Sequence, residues 1–201
     1  MAHKILGSFF ILFGILVSAV EAEEMRSLEE STQKATFAGG CFWGIEKVFS
    51  PLPGVASTQV GYTGGKTRNP SYEQVCTGVT GHAEAIEVTY DPAKISYEKL
   101  LETFFLNHDP TTCNRQGPDI GSQYRSAIFY HNERQKAAAI KSIALLDRSK
   151  VFDGPILTEI APASEFYRAE EYHQNYLKKN PHGYCSIRLG SAKISDALKK
   201  L

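Results

Sequence analysis

Between residues 84 and 105 the hydrophobic repeat changes from two to about 3.6, and that change limits the fold more than any other feature of the chain. In residues 84–90, Ile86, Val88 and Tyr90 share one face of a strand and Ala85, Glu87 and Thr89 the other. Asp91-Pro92 ends the strand. Ser96 then caps a helix whose Tyr97, Leu100, Leu101, Phe104 and Phe105 recur at i, i+3, i+4, i+7 and i+8. Strands and helices alternate through the rest of the chain. Residues 35–39 form a short strand broken by Gly39-Gly40, and a helix starts at Cys41 with Phe42, Ile45, Val48 and Phe49 on one side until Pro51 and Pro53 stop it. A strand over 55–62 closes at Gly64-Gly65, and one helical turn spans 72–76 after a loop from Thr67 to Pro70. A long polar loop over 108–121 leads to a strand at 124–130. Asn132 and Gln135 form a capping box for a helix to about Asp147. A strand at 155–161 and a polar helix at 169–179 precede Pro181-His182-Gly183 and a tail carrying Cys185. Uneven elements and short links point to a compact two-layer α/β (α+β) sandwich with a mixed β-sheet rather than a doubly wound parallel fold.

The 201 residues suit one domain, and with 42% hydrophobic and 22% charged residues a packed core is expected. Twenty-two Lys+Arg balance 22 Asp+Glu, so nucleic acid is an unsuitable partner, since phosphate binding needs excess positive charge. Residues 1–22 read as a cleaved signal peptide: His3-Lys4, an apolar run from Ile5 to Val20, and Ala22 at the cleavage point. The run falls short of the about 20 apolar residues of a spanning helix, which makes an uncleaved anchor the lesser alternative. Residues 23–34 form a flexible lead-in and 35–201 one catalytic domain. The expected location is therefore periplasmic or secreted, with no stable membrane insertion after cleavage. Outside the cytoplasm the four cysteines, Cys41, Cys76, Cys113 and Cys185, allow two structural disulfides in three pairings. A domain of this size does not need them, and no CxxC spacing suggests zinc.

Cys41, in Gly39-Gly40-Cys41-Phe42-Trp43-Gly44, sits at a strand-to-helix turn, where backbone N–H groups and the helix dipole favour thiolate over thiol. The bland alternative is a small buried hydrophobe in a turn. It explains poorly why Phe42 and Trp43, the only Trp, stand side by side; one of them lines a pocket suited to a methyl or alkyl group. By alternation Glu84 shares the core face of Ile86, Val88 and Tyr90, where desolvation raises its pKa and fits it for general acid work. At a strand start it can equally reach solvent. Tyr72 and Tyr124 are hydroxyl donors by type, or two ordinary rings among ten Tyr. Asp119 is a loop carboxylate that orients a site group, or a turn Asp. Cys185 sits in a glycine-punctuated tail and can travel to an oxidised partner, or be tied in a structural disulfide with Cys76 or Cys113.

Together these segments resemble the A-type peptide methionine sulfoxide reductases, which are specific for the S epimer of the sulfoxide. The resemblance rests on Gly-Cys-Phe-Trp-Gly at 40–44, Gly-Tyr-Thr-Gly-Gly at 61–65, Asn-Pro-Ser-Tyr at 69–72 and Gly-His-Ala-Glu at 81–84. It continues through Tyr-Asp-Pro at 90–92, His-Asp-Pro-Thr-Thr at 108–112, Asn-Arg-Gln-Gly at 114–117, Gly-Ser-Gln-Tyr-Arg-Ser at 121–126 and Tyr-His-Gln at 172–174. It implies a ferredoxin-like sandwich with no metal and no bound cofactor. It implies that Cys41 attacks the sulfoxide sulfur, Phe42 and Trp43 hold the methyl group, Glu84 donates a proton, and Tyr72 and Tyr124 bind the oxygen. Methionine leaves, Cys41 becomes a sulfenic acid, Cys185 resolves it as a disulfide, and a thioredoxin-like protein reduces that bond. The implied substrates are free methionine sulfoxide and oxidised proteins, and the expected state is a monomer. Two features differ from the family pattern. No cysteine follows Cys185, so no second tail disulfide can form, and Cys113 lies in the Thr-Thr-x-Asn-Arg loop, inert or an alternative resolving thiol.

Overall fold

The computed structural model describes residues 31–187 and 190–201. The expected signal peptide over 1–22 and most of the lead-in lie outside the described residues. Gln33–Leu201 is one unit. Its elements are β1 (Gln33–Gly39), α1 (Phe42–Phe49), β2 (Val55–Thr63), α2 (Tyr72–Cys76), β3 (Ala83–Tyr90) and α3 (Tyr97–Leu106), followed by the two-residue strands β4 (Arg115–Gln116) and β5 (Asp119–Ile120). A 3-10 turn at Ser122–Tyr124 leads to β6 (Ser126–Tyr130), α4 (Glu133–Ser149), β7 (Glu159–Pro162), β8 (Tyr167–Arg168), α5 (Tyr176–Lys179) and α6 (Ala192–Leu198). The six-stranded sheet runs β7-β6-β1-β3-β2-β8. Its pairs are antiparallel except β6 with β7. Within it, β1-α1-β2-β3-α3-β6 with strand order β6-β1-β3-β2 is the split βαβ arrangement of a ferredoxin-like sandwich.

The strand pattern explains why the layers fall as they do. Phe37 of β1 stands opposite Ile86 of β3 and Ile128 of β6, a row of large side chains crossing three strands on one face. The helices cover that row: Phe37 stacks on Phe49 of α1 and Phe104 of α3, each 5.2 Å between centroids. Leu100, Leu101 and Phe105 of α3, Ala139 and Leu146 of α4, and Ile194 and Leu198 of α6 complete the cluster. Each such large side chain contributes about 1.5–3 kcal/mol by leaving water. The next positions along the same strands, Ala38, Ala85 and Ala127, face the other way, where Phe166, Ala161 and Ala163 lie on them. The amphipathic helix read between 97 and 105 is α3, and Ser96 Oγ accepts the Lys99 N–H at 3.1 Å as its cap.

Several expectations are corrected. Tyr124 is not in a strand, because Gly121, with φ 151, turns the chain into the 3-10 turn and β6 starts at Ser126. The strand expected at 155–161 is Glu159–Pro162. Only the end of the polar helix expected at 169–179 is helical. Before it, Ala169 N–H bonds Val60 O, the Gln174 carboxamide pairs with Val60 N–H and C=O at 3.0 and 2.9 Å, and Asn175 takes a left-handed φ of 54. Gln174 thus continues the sheet edge by side chain, and the chain cannot coil until it has passed. Finally, the segment carrying Cys185 is not a free tail: Gly190 N–H bonds Leu106 O and α6 buries Ile194 and Leu198 in the core. Asn132 caps α4 through Gln135 N–H, but the Gln135 side chain reaches His131 N–H instead of closing the box. No helix among the described residues is long and apolar enough to cross a membrane.

Candidate active site

At the end of β1, Gly40 has φ +92, and a Cβ there would collide with the Gln116 side chain, so only glycine makes this turn. The turn delivers Cys41 as the N-cap of α1. Its carbonyl accepts the Gly44 and Ile45 N–H groups, and its sulfur faces the N–H groups of Trp43 and Gly44. The thiol is 8% exposed. Below the same helical turn lies Glu84 of β3, 2% exposed, with Oε2 accepting the Phe42 N–H at 3.1 Å. Burial pushes this carboxyl up to about 8; the Phe42 N–H opposes the rise and the charge of Asp119 adds to it. Glu84 is therefore held mainly in its protonated form near pH 7.

The expectation of a resting thiolate is corrected by the same geometry. Burial pushes the Cys41 thiol up to about 12, the Glu84 carboxylate adds to the rise, and the Trp43 and Gly44 N–H groups only partly offset it. Two N–H groups at the end of an eight-residue helix are outweighed by desolvation.

Aromatic rings gather around the same turn. Phe42 is buried, while Trp43, Tyr72 and Tyr124 are half-buried and pack with Cys41, Tyr62 and Val75 in one cluster. Both Tyr72 and Tyr124 are held well above the ordinary tyrosine value, by burial first and also by the charge of Glu84. Both hydroxyls stay neutral near pH 7, and that of Tyr72 is hydrogen-bonded with Cys76. Asp119 Oδ1 accepts the Tyr184 hydroxyl at 2.8 Å, and its Oδ2 is buried without a partner among the described residues. All four cysteines are free. Cys185 Sγ lies 3.5 Å from where a Cβ on Gly44 would stand, over the first turn of α1. Cys76 sits by Tyr72 at the rim, and Cys113 is exposed in the loop before β4. A groove of about 540 Å³ along Trp43, Glu46, Lys47, Val55 and Lys178 meets this cluster at Trp43 and does not reach Glu84.

Sequence reasoning missed the support behind the wall. Trp43 stacks on Tyr176 at 3.8 Å and donates its indole N–H to His173 Nδ1 at 3.0 Å. Glu170 accepts the Tyr62 hydroxyl at 2.8 Å and the Tyr72 N–H at 3.0 Å. Glu46, 3% exposed, accepts the Asn175 N–H at 2.7 Å and ties α1 to the segment before α5. Tyr172-His173-Gln174 was visible as a motif, but nothing local in it points to Trp43.

A neutral acid, two neutral hydroxyls and a thiol around an apolar wall suit transfer of an oxygen from a polar, uncharged group to sulfur. Residues 33–200 match the family described as "Peptide methionine sulfoxide reductase". A protein of that name from Methanosarcina acetivorans is 61% identical over 150 residues, 75% of this chain and 80% of the relative. One from Salmonella typhimurium is 53% identical over 172 residues, 84% of this chain and 81% of the relative. Reduced Mxr1 from Saccharomyces cerevisiae superposes with a TM-score of 0.74 at 38% identity, covering 81% of this chain and 94% of that one. Methionine sulfoxide reductase A of Corynebacterium diphtheriae gives 0.69 at 41%, covering 77% and 78%. The yeast protein is also known in complex with Trx2, at 26% identity and a TM-score of 0.54. On sequence and fold alike, this chain belongs to the peptide methionine sulfoxide reductase family.

Proposed function

We propose that this chain reduces the S epimer of methionine sulfoxide, free and in oxidised proteins, by a cycle through Cys41 and Cys185. The observation that carries it is the Glu84 carboxyl, 2% exposed and accepting the Phe42 N–H, beneath the helical turn that Cys41 caps. Phe42 and Trp43 take the S-methyl group, and Tyr72 and Tyr124 donate hydrogen bonds to the sulfoxide oxygen. As Cys41 sulfur bonds to the substrate sulfur, Glu84 gives its proton to that oxygen, and the thiol proton of Cys41 refills Glu84. In the adduct the hydroxyl passes from the substrate sulfur to the Cys41 sulfur: the substrate's S–O bond and the new S–S bond both break, one of the two electron pairs forms the Cys41 S–O bond of a sulfenic acid, and the other leaves with methionine as its sulfur lone pair. Cys185 then attacks, forming the Cys41–Cys185 disulfide and releasing water. Asp119 orients Tyr184, the residue before Cys185, for that approach.

The external reductant is a thioredoxin-like dithiol, which takes up the disulfide by exchange; the yeast relative's complex with Trx2 supports that choice. The enzyme works as a monomer without a bound cofactor. With residues 1–22 removed on export, it acts in the periplasm or outside the cell, on proteins oxidised there.

The test is stoichiometry on prereduced protein. Wild type with a thioredoxin-type reductant should form methionine in large excess over enzyme, Cys185→Ser one methionine per chain before stalling, and Cys41→Ser none. Turnover by Cys41→Ser would sink the proposal. Undiminished cycling by Cys185→Ser would move the resolving role to Cys76 or Cys113.

A further inference from the structure

The groove beside Trp43 takes no part in the cycle above. It encloses about 540 Å³ between α1, the first half of β2 and α5, and it meets the aromatic cluster at the Trp43 ring. We propose that this groove is a subsite for the chain of an oxidised protein: an extended, acidic segment next to the methionine sulfoxide lies along it, paired with the free edge of β2 at Thr58 and held by Lys47 and Lys178. The inference deepens the function proposed above and rests on the reading of Trp43 as a wall of the methyl niche.

The edge is left open by the way the sheet ends. β8 pairs with β2 only at Gly61 and Tyr62. Next to them, Val60 is satisfied by the Gln174 carboxamide and the Ala169 N–H. Backbone groups of successive residues point to alternate sides of an antiparallel strand, so Thr58, two positions before Val60, turns its N–H and C=O the same way. Neither group has a partner among the described residues, and Thr58 lines the groove. The bulge between Val55 and Ser57 ends the regular ladder just beyond it. A bare pair of strand groups inside a groove is completed by an added strand, whose main chain supplies affinity and whose side chains supply selectivity. The length fits such a segment. Along α1 the groove runs from Trp43 to Ser50, about 10 Å by helical rise, which is about three residues of extended chain.

The rim sets the sign of the charge. Lys47 of α1 and Lys178 of α5 are exposed, line the groove from opposite sides and make no ion pair among the described residues. The neighbouring Lys179 is engaged with Glu171 at 3.8 Å. Glu46 is the one acid among the lining residues, and its oxygens are occupied: it is 3% exposed and accepts the Thr58 hydroxyl at 3.3 Å and the Asn175 N–H at 2.7 Å. The two ammonium groups therefore face solvent uncompensated. With 22 cations against 22 anions in the whole chain, they are a local feature and not part of a basic surface. Lysines beside a bare edge keep other folded sheets from pairing with it. A chain carrying Asp or Glu is the one they admit.

The test uses end-blocked peptides with a single methionine sulfoxide and a run of Glu, Ser or Lys on its N-terminal or its C-terminal side. Dithiothreitol is the reductant, so that docking of a thioredoxin does not enter. Wild type should favour Glu over Lys on one of the two sides by about 5-fold in kcat/KM, mostly through KM, and added salt should shrink the ratio. Joint Lys47→Glu and Lys178→Glu substitution should reverse the preference. N-methylation walked along the Glu run should weaken the peptide about 5-fold where the amide meets Thr58. Each ratio is taken within one protein, so a general loss of activity leaves it readable. Should the double variant not fold, Lys47→Ser and Lys178→Ser taken singly should each lower the ratio about 2-fold. Equal kcat/KM for the Glu, Ser and Lys peptides on both sides, a preference that the lysine variants leave in place, or N-methylation without effect at every position would overturn the proposal. The same peptides carrying methionine sulfone report binding through Trp43, the only tryptophan, with no turnover needed. Charge-dependent binding there without any sulfoxide reduction supports the groove and overturns the enzyme reading instead.

Discussion

Replacing Glu84 by Gln should stabilise the fold while disabling the chemistry, and the gain should depend on pH. Burial raises the Glu84 carboxyl from 4.5 to about 8. Between those values the folded chain holds a proton that the unfolded chain has released. The stability this group contributes is therefore complete below about pH 4.5 and is lost as the pH climbs through about 8. Each pH unit between the folded and unfolded values is worth about 1.4 kcal/mol, so the full loss approaches about 5 kcal/mol; under about 1 kcal/mol is gone at about pH 5 and about 3 kcal/mol at about pH 7. The carboxamide of Glu84→Gln cannot ionise, and its oxygen can still accept the Phe42 N–H now bonded at 3.1 Å. Relative to wild type, Glu84→Gln should gain about 2–3 kcal/mol between about pH 5 and pH 7, or about 5–10 °C in melting temperature for a domain of this size. Glu46 and His173 titrate alike in both proteins and cancel in the difference. The assay is urea unfolding of reduced protein followed by Trp43 emission across that range, with sulfoxide turnover measured alongside and expected to fall by about 100-fold. A stability difference that stays flat with pH would refute the neutral acid and the proton transfer built on it.

Two further outcomes follow from the same geometry. Because burial and the Glu84 charge both raise the Cys41 thiol, alkylation by iodoacetamide should be slow at neutral pH and still rising above about pH 9, and Glu84→Gln should speed it on the alkaline side. A rate already level at about pH 7 would mean a resting thiolate. Gly44→Ala would place a Cβ 2.7 Å from Ile187 Cγ1, so the segment carrying Cys185 must shift. The first methionine should form at the normal rate and the Cys41–Cys185 disulfide about 10-fold more slowly, read by mass mapping of quenched single-turnover samples; equal disulfide rates would place the resolving thiol elsewhere.

What was legible in the sequence is what short-range pattern encodes. β3 and α3 came from two periodicities over 84–105, and α1 from a glycine turn and two prolines, within a residue of the observed bounds. Alternation puts Glu84 on the face of Ile86, which is the helix-covered face, although Ala83 and Ala85 on the opposite face are buried as well. The failures share a long-range cause. Residues 169–175 look helical in isolation, yet the Gln174 carboxamide is taken by Val60, 114 positions away, and the His173 ring by Trp43, 130 away. α6 carries only two core residues, Ile194 and Leu198, too few for a periodic signal without knowing that α3 and α4 leave a place for them. The state of Cys41 was misread for the same reason: the helix N-terminus is local and visible, whereas the burial and the carboxyl that outweigh it come from β3 and the aromatic cluster.

Burial of both groups bears directly on the mechanism proposed for the site. One physical cause, removal of water from the turn between β1 and α1, makes Glu84 a good acid near pH 7 and Cys41 a poor nucleophile. The two effects cannot be separated by moving either group, because Phe42 N–H ties the carboxyl to the helix that Cys41 caps. A fully exposed site would offer more thiolate and no acid; a thiolate held permanently beside Glu84 would leave the carboxyl's ionised form without any compensating charge. The arrangement that escapes both keeps thiol and acid neutral until a sulfoxide dipole arrives. In the mechanism proposed above, its oxygen draws the Glu84 proton, the vacated carboxylate accepts the Cys41 proton, and the sulfur becomes nucleophilic only with its target in contact. Selectivity then lies in the activation step itself: a bound molecule without a basic oxygen between Tyr72, Tyr124 and Glu84 leaves Cys41 a thiol.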